Sequence, residues 1–275
     1  MKLSLGFSPC PNDTFIFGAM ALGKVDTEGL EFDYFLADVE QLNCKAFEGK
    51  TDILKLSYHA YTYVAENYLI LDAGSAIGRG NGPLLISKKE IKMDEMPLLT
   101  IAIPGKYTTA NLLFSIYCPE ALNKKVYLFS EIPDVLLKEE ADAGIIIHET
   151  RFTYHEKGLK KITDLGEFWE KLTGLPVPLG AITVNRSLSE DISQKVNRII
   201  KRSIEYAYKN PDFSFNFVRQ YAKETDPDVI RSHIKLYVNK YTYSMGREGR
   251  EAVEKFFSTA MNAGVIPDLP ERVFL

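Results

Sequence analysis

The sequence predicts an α/β protein of two lobes facing a central cleft. Three observations lead there. Strand-like apolar runs alternate with amphipathic helical runs. The alternation restarts after about 90 residues. A late strand-like run after two prolines, LPVPLGAITVNRSL over 175–188, then returns the chain from the second lobe to the first. This divides the chain into one lobe of residues 1–90 with 181–275 and a second of 91–180. Two crossings make a hinge, and the cleft between hinged halves is a favoured ligand site.

Each element follows from local chemistry. Leu3, Leu5 and Phe7 alternate as on a strand with one lined face, and a helix over 14–22 follows with Asn12, Asp13 or Thr14 as its cap. A strand over 30–36 sets acidic residues between Phe32, Tyr34 and Leu36, and an amphipathic helix over 39–48 closes at Gly49. A short strand over 52–56 leads into a helix over 58–66, and the runs 69–72 and 83–87 bracket the glycine-rich GSAIGRGNG. The second lobe begins with a strand over 99–103, a Pro104-Gly105 turn and a helix over 109–117. A strand over 125–129 and a helix over 132–139, with Pro133 in an early position, come next. Ile145, Ile146 and Ile147 are consecutive β-branched residues and read as a strand buried on both faces. Helices over 189–210, 227–237 and 247–263 complete the chain, the first with Ile192, Val196, Ile199, Ile200 and Ile204 on one stripe. This last third shows no obvious chemistry.

Composition narrows the function. The 275 residues carry a net charge of −4 without a basic cluster, which argues against nucleic acid as a partner. No run approaches the ~18 apolar residues of a membrane span, and the N-terminus lacks the apolar core of an export signal. Cys10, Cys44 and Cys118 are far apart and odd in number, so neither disulfide scaffold nor zinc ribbon is expected. A reduced, cytoplasmic protein that binds a small molecule fits these bounds.

Five segments fall at carboxyl ends of strands, where open α/β sheets bind ligands. SPCPNDT supplies a rigid turn with Asn12 and Asp13; Cys10 in it has no neighbouring histidine to activate a thiol. LKLSY places Lys55 among apolar neighbours, so its ammonium needs a counter-charge or the cleft, and Ser57 shares its face. The glycine-rich loop fits neither nucleotide fingerprint and reads as a hinge or lid, with Arg79 as a possible contact to an acid. Thr108 or Thr109 caps a helix whose first amides can hold a carboxylate. His148 closes the triple-isoleucine strand and can move a proton near neutral pH. The four histidines lack ligand spacing, so no metal site is expected. The residues alone describe a polar cleft for a small carboxylate.

SPCPNDTFIF, KLSY, GRGNGPL, PGKYTTA, AGIIIHETRFTY and LPVPLGAI occur in the order and spacing of the 1,4-dihydroxy-6-naphthoate synthase family of menaquinone biosynthesis, which the chain resembles from about Leu3 to the C-terminal helices. The resemblance implies a periplasmic-binding-protein type II fold used as an enzyme. It implies conversion of cyclic dehypoxanthine futalosine to 1,4-dihydroxy-6-naphthoate and dihydroxyacetone, without metal or organic cofactor. It also implies His148 as base, with substrate contacts at Lys55, Leu56 and Ser57 and at Thr108 and Thr109. Two rivals share the fold: a non-catalytic solute-binding protein, disfavoured by the missing export signal, and the chorismate dehydratase of the same pathway.

Overall fold

A computed structural model describes the whole chain, residues 1–275. The first lobe opens with β1 (Lys2–Phe7), α1 (Pro11–Ala21), β2 (Glu31–Leu36), α2 (Val39–Ala46), β3 (Ile53–Ser57), α3 (Tyr58–Val64), β4 (Tyr68–Ile70) and β5 (Ala76–Gly78). Then come β6 (Leu84–Ser87), β7 (Ile101–Ile103), α4 (Thr109–Tyr117), β8 (Lys124–Val126), α5 (Ile132–Leu137), β9 (Ala143–Ile146), α6 (Thr150–Thr153), β10 (Lys160–Asp164) and α7 (Leu165–Thr173). The chain ends with β11 (Val177–Asn185), α8 (Glu190–Lys209), α9 (Pro211–Tyr221), α10 (Pro227–Tyr237), α11 (Lys240–Tyr243) and α12 (Gly246–Asn262).

Two sheets form. The first runs β2-β1-β3-β11-β4, with β5 also pairing β11; the second runs β10-β6-β9-β7-β8. Each has a parallel core joined by one antiparallel strand, β11 against β3 in the first and β6 against β9 in the second. The expected lobe boundaries shift accordingly. The run 83–87 was assigned to the first lobe, but its backbone is paired with β9 and β10 in the second sheet. The crossings therefore lie between Gly78 and Leu84 and between Thr173 and Val177.

The glycine-rich loop contains a strand, β5, because Val177 and Pro178 pair with Gly78 and Ile77 across the crossing. Lys160 and Lys161 are exposed on the edge strand β10. At the start of α1 the cap is Cys10 with Pro11 in the first turn, so Asn12, Asp13 and Thr14 lie inside the helix rather than ahead of it.

One apolar seam joins the lobes. Leu54 and Leu56 of the first sheet, Leu85 and Ile101 of the second, Trp169 of α7 and Phe256 of α12 belong to a single buried cluster. The rings of Trp169 and Phe256 meet edge-on, with centroids 5.1 Å apart. Beneath the first sheet, Val196, Ile199, Ile200 and Ile204 of α8 pack on Leu5, Phe7 and Phe17, as the predicted stripe requires.

At the first crossing the backbone of Gly82 lies against that of Gly166 at the start of α7, where a Cβ on Gly82 would stand 2.3 Å from the Gly166 Cα. Backbone cannot swing aside as a side-chain tip can. Gly82→Ala is therefore expected to destabilise the protein by about 1–3 kcal/mol, read as a lower denaturation midpoint in guanidinium; an unchanged midpoint would mean that the crossing accommodates a methyl group freely.

Candidate active site

The buried strand β9 delivers His148 to the cleft by an unusual backbone turn. His148 has φ 57°, one of three positive-φ non-glycine residues in the chain. Histidine is among the side chains enriched in that region, and such a conformation persists where the surroundings hold it. Its ring borders two adjoining cavities. Ser57, Val39, Leu179 and Tyr237 border both as well. His148 thus stands where the two halves of the cleft meet.

The ring is fixed by its neighbours. Phe129 meets it edge-on at 5.0 Å, and His233 of α10 lies nearly parallel, at 5.9 Å and 14°. Burial holds the proton affinity of His148 below its usual value, partly opposed by the Glu149 and Asp13 carboxylates. Its Nε2 is closed from solvent and has no protein partner. A neutral imidazole of this kind can accept a proton at neutral pH.

One half of the cleft is built on a buried ion pair. Lys55 Nζ lies 3.2 Å from Asp13 Oδ1 and donates to the Gly74 carbonyl at 2.9 Å. Asp13 also accepts from the Ser8 hydroxyl at 2.7 Å and from Asn12 Nδ2 at 2.8 Å. The Asn12 carbonyl oxygen lies 2.9 Å from His233 Nε2. Asn12, Asp13, Lys55, Leu56 and Ser57 all border this cavity. Cys10 is no nucleophile in this setting, since burial first and then Glu149 push its thiol well above its usual range.

The other half is the start of α4. Thr108 caps the helix by accepting from the Asn111 amide at 3.3 Å, while Thr109 donates its hydroxyl to the Leu179 carbonyl at 2.6 Å. Thr109 and Ala110, the first helical residues, border the cavity, and amides at that position have no carbonyl partner within the helix. His59 of α3 reaches across from the first lobe, its Nδ1 3.2 Å from the Thr108 carbonyl; burial lowers its pKa to about 4, so it is neutral. Glu40 of α2 makes a second link across the cleft by accepting the Tyr107 amide at 3.0 Å. It also accepts from Asn43, which in turn donates to the Ser57 hydroxyl at 3.1 Å.

Arg79 does not meet these residues. It is half-exposed, donates to the Gly174 carbonyl at 2.9 Å and pairs with Glu170 and Glu248. The reason is topological: the strand before it pairs with β11, which turns the side chain toward the second crossing. Arg151 binds the Gly82 carbonyl and Asp164, and Asn185 binds the Gly49 carbonyl, while Glu149 is the charged group that acts most strongly on His148.

Two cleft residues, Asn81 and Tyr237, and His233 packed behind His148 were not singled out from the sequence. Asn81 is 1% exposed, borders the cavity, and has neither amide atom engaged. His233 and Tyr237 come from the helical C-terminal third that showed no chemistry. A histidine and a tyrosine four apart beside Ile230 were a readable signal, being polar tips on the buried face of α10.

The chain matches the model of a family described as "Menaquinone biosynthesis" over residues 3–262. A Thermus thermophilus protein named 1,4-dihydroxy-6-naphtoate synthase is 40% identical over 273 residues, covering 99% of both chains. A Streptomyces coelicolor protein of the same name is 38% identical, covering 97% of this chain and 95% of that one. A crystal structure of an Archaeoglobus fulgidus protein superposes with TM-score 0.91 at 37% identity, covering 96% of this chain and 98% of that one. A Candida albicans protein described as having the generic periplasmic binding protein fold superposes with TM-score 0.72 at 13% identity, covering 98% and 92%, a likeness of fold alone. Two sheets joined by two crossings around a cleft are that fold, and the chain belongs to the menaquinone-biosynthesis family.

Proposed function

We propose that the protein is a carbon–carbon lyase that converts cyclic dehypoxanthine futalosine to 1,4-dihydroxy-6-naphthoate and dihydroxyacetone, with His148 as general base. The observation that carries this reading is the placement of a neutral, buried imidazole at the junction of the two cavities, in a chain whose curated relatives bear the synthase name. The reaction takes place in the cytoplasm on a free small-molecule carboxylate.

His148 takes a proton from the bound substrate, the bond to the three-carbon fragment breaks, and the new naphthalene ring drives the step forward. The two products together hold every atom of the substrate, so the proton taken is returned before release. General-base help of this kind is worth roughly 10²–10⁴-fold. The start of α4 holds the carboxylate through its first amides. Lys55, Ser57, Asn12 and the free amide of Asn81 receive the oxygens along the remaining walls. Contacts between the lobes exclude water and hold the reacting groups in place.

Incubating the purified protein with cyclic dehypoxanthine futalosine and analysing the mixture by mass spectrometry is expected to show the naphthoate; product from chorismate instead would reverse the assignment. His148→Ala should lose turnover by about 10²-fold or more while ligand affinity, measured by calorimetry, stays within about tenfold. Normal turnover in that variant would end the general-base role. For wild-type enzyme, kcat/KM should fall with decreasing pH as His148 becomes protonated. Since burial lowers its pKa, that acid limb belongs below the usual histidine value of about 6.5, and a limb centred above pH 7 would contradict it. Thr109→Val removes the hydroxyl and strands the Leu179 carbonyl, and is expected to weaken ligand binding by about 1–2 kcal/mol; equal affinity would confine Thr109 to a packing role.

A further inference from the structure

Three buried polar atoms without protein partners belong to adjoining residues: His148 Nε2, Glu149 Oε2 and His233 Nδ1. We propose that Glu149 and His233 are positioning residues acting through His148: the carboxylate steadies the imidazolium that forms when His148 takes the substrate proton, and the stacked His233 ring holds that imidazole in its plane. This rests on the lyase reading, and names the groups of the same site that support the protonated base.

Asn12 sets the tautomer of His233. The side-chain amide of Asn12 donates through Nδ2 to Asp13, so its Oδ1 is an acceptor and His233 Nε2 must carry the hydrogen of the 2.9 Å bond. In a neutral ring the other nitrogen, Nδ1, is then a bare lone pair. Burial and the neighbouring His148 keep His233 neutral. Its Nδ1 faces Glu149 Oε2 at 3.7 Å, beyond hydrogen-bond range. Two acceptors therefore face one another in a site with no solvent access to either atom.

Because no proton is shared between them, the Glu149 charge stays available to the His148 imidazolium, whose protonated form it favours; the substrate proton stays on His148 until it is returned to the departing fragment. The rings are stacked and nearly parallel, and Glu149 is the next residue in the chain, so the three groups are held by the same packing. Other titratable groups face the cluster. Asp13, Lys55 and Asp38 act on His148. Cys10 and Tyr237 act on Glu149, and both are kept protonated by burial, Tyr237 with a pKa pushed up to about 12. Neither competes for the proton.

The test uses two variants of the full chain and one spectrum. His233→Gln keeps an N–H donor toward Asn12 and removes the bare nitrogen; Glu149→Gln keeps the size and removes the charge. Each is expected to lower kcat about 10- to 100-fold with KM within about threefold. Glu149→Gln should also move the acid limb to lower pH, because the carboxylate that favours protonated His148 is gone. A purely structural role predicts wild-type kcat and pH profile for His233→Gln, and that result would overturn the proposal. Side-chain ¹⁵N spectra of the ligand-free wild-type protein should show His233 as the Nε2–H tautomer across about pH 6–8. The Nδ1–H form would overturn the proposal even if neither variant folds. The spectrum needs no substrate, so an absence of naphthoate from wild-type enzyme would count against the lyase reading alone.

Discussion

A lysine ammonium sealed inside a protein must be paired, and the Lys55–Asp13 contact meets that requirement with side chains only 7% and 3% exposed. Much of the site depends on it. The pair ties the middle strand of the first sheet to the first turn of α1 and holds the carboxylate that orients the Asn12 amide. That amide in turn fixes which nitrogen of His233 bears hydrogen. Buried ion pairs contribute little net stability once desolvation is counted; this one contributes orientation, carried from a strand to a helix nearly 180 residues later in the chain.

The cleft is assembled from three sources. His148 and the start of α4 belong to the second sheet's lobe, Lys55 and Asn12 to the first, and His233 to a helix that follows the return of the chain. Bonds from Glu40 to Tyr107, from His59 to Thr108 and from Thr109 to Leu179 span the lobes next to the cavities. The groups proposed to react are accordingly brought together only where the lobes meet.

The sequence made legible whatever depends on short-range periodicity. Three isoleucines before a histidine, a lysine among apolar strand neighbours, and threonines ahead of an amphipathic run each state their own local problem. All of them border the cleft. Long-range pairing was not legible. Leu84–Ser87 looks the same in either sheet, and only its partners β9 and β10 decide the lobe. Arg79 has the chemistry of an acid-binding residue but follows a strand that no local pattern announces, and that strand's pairing turns it away from the cleft. His233 is separated from Asn12 by 221 residues, a distance over which periodicity carries no information.

Arg79 has a different consequence. It sits on the first crossing and grips the Gly174 carbonyl on the second, while the Gly80 amide holds Glu170 of α7. The two connectors are thereby laced into a single ribbon. Cross-linked connectors resist shear and torsion more than two separate ones would, so any movement of one half against the other is guided toward bending at this ribbon, as a book opens at its spine.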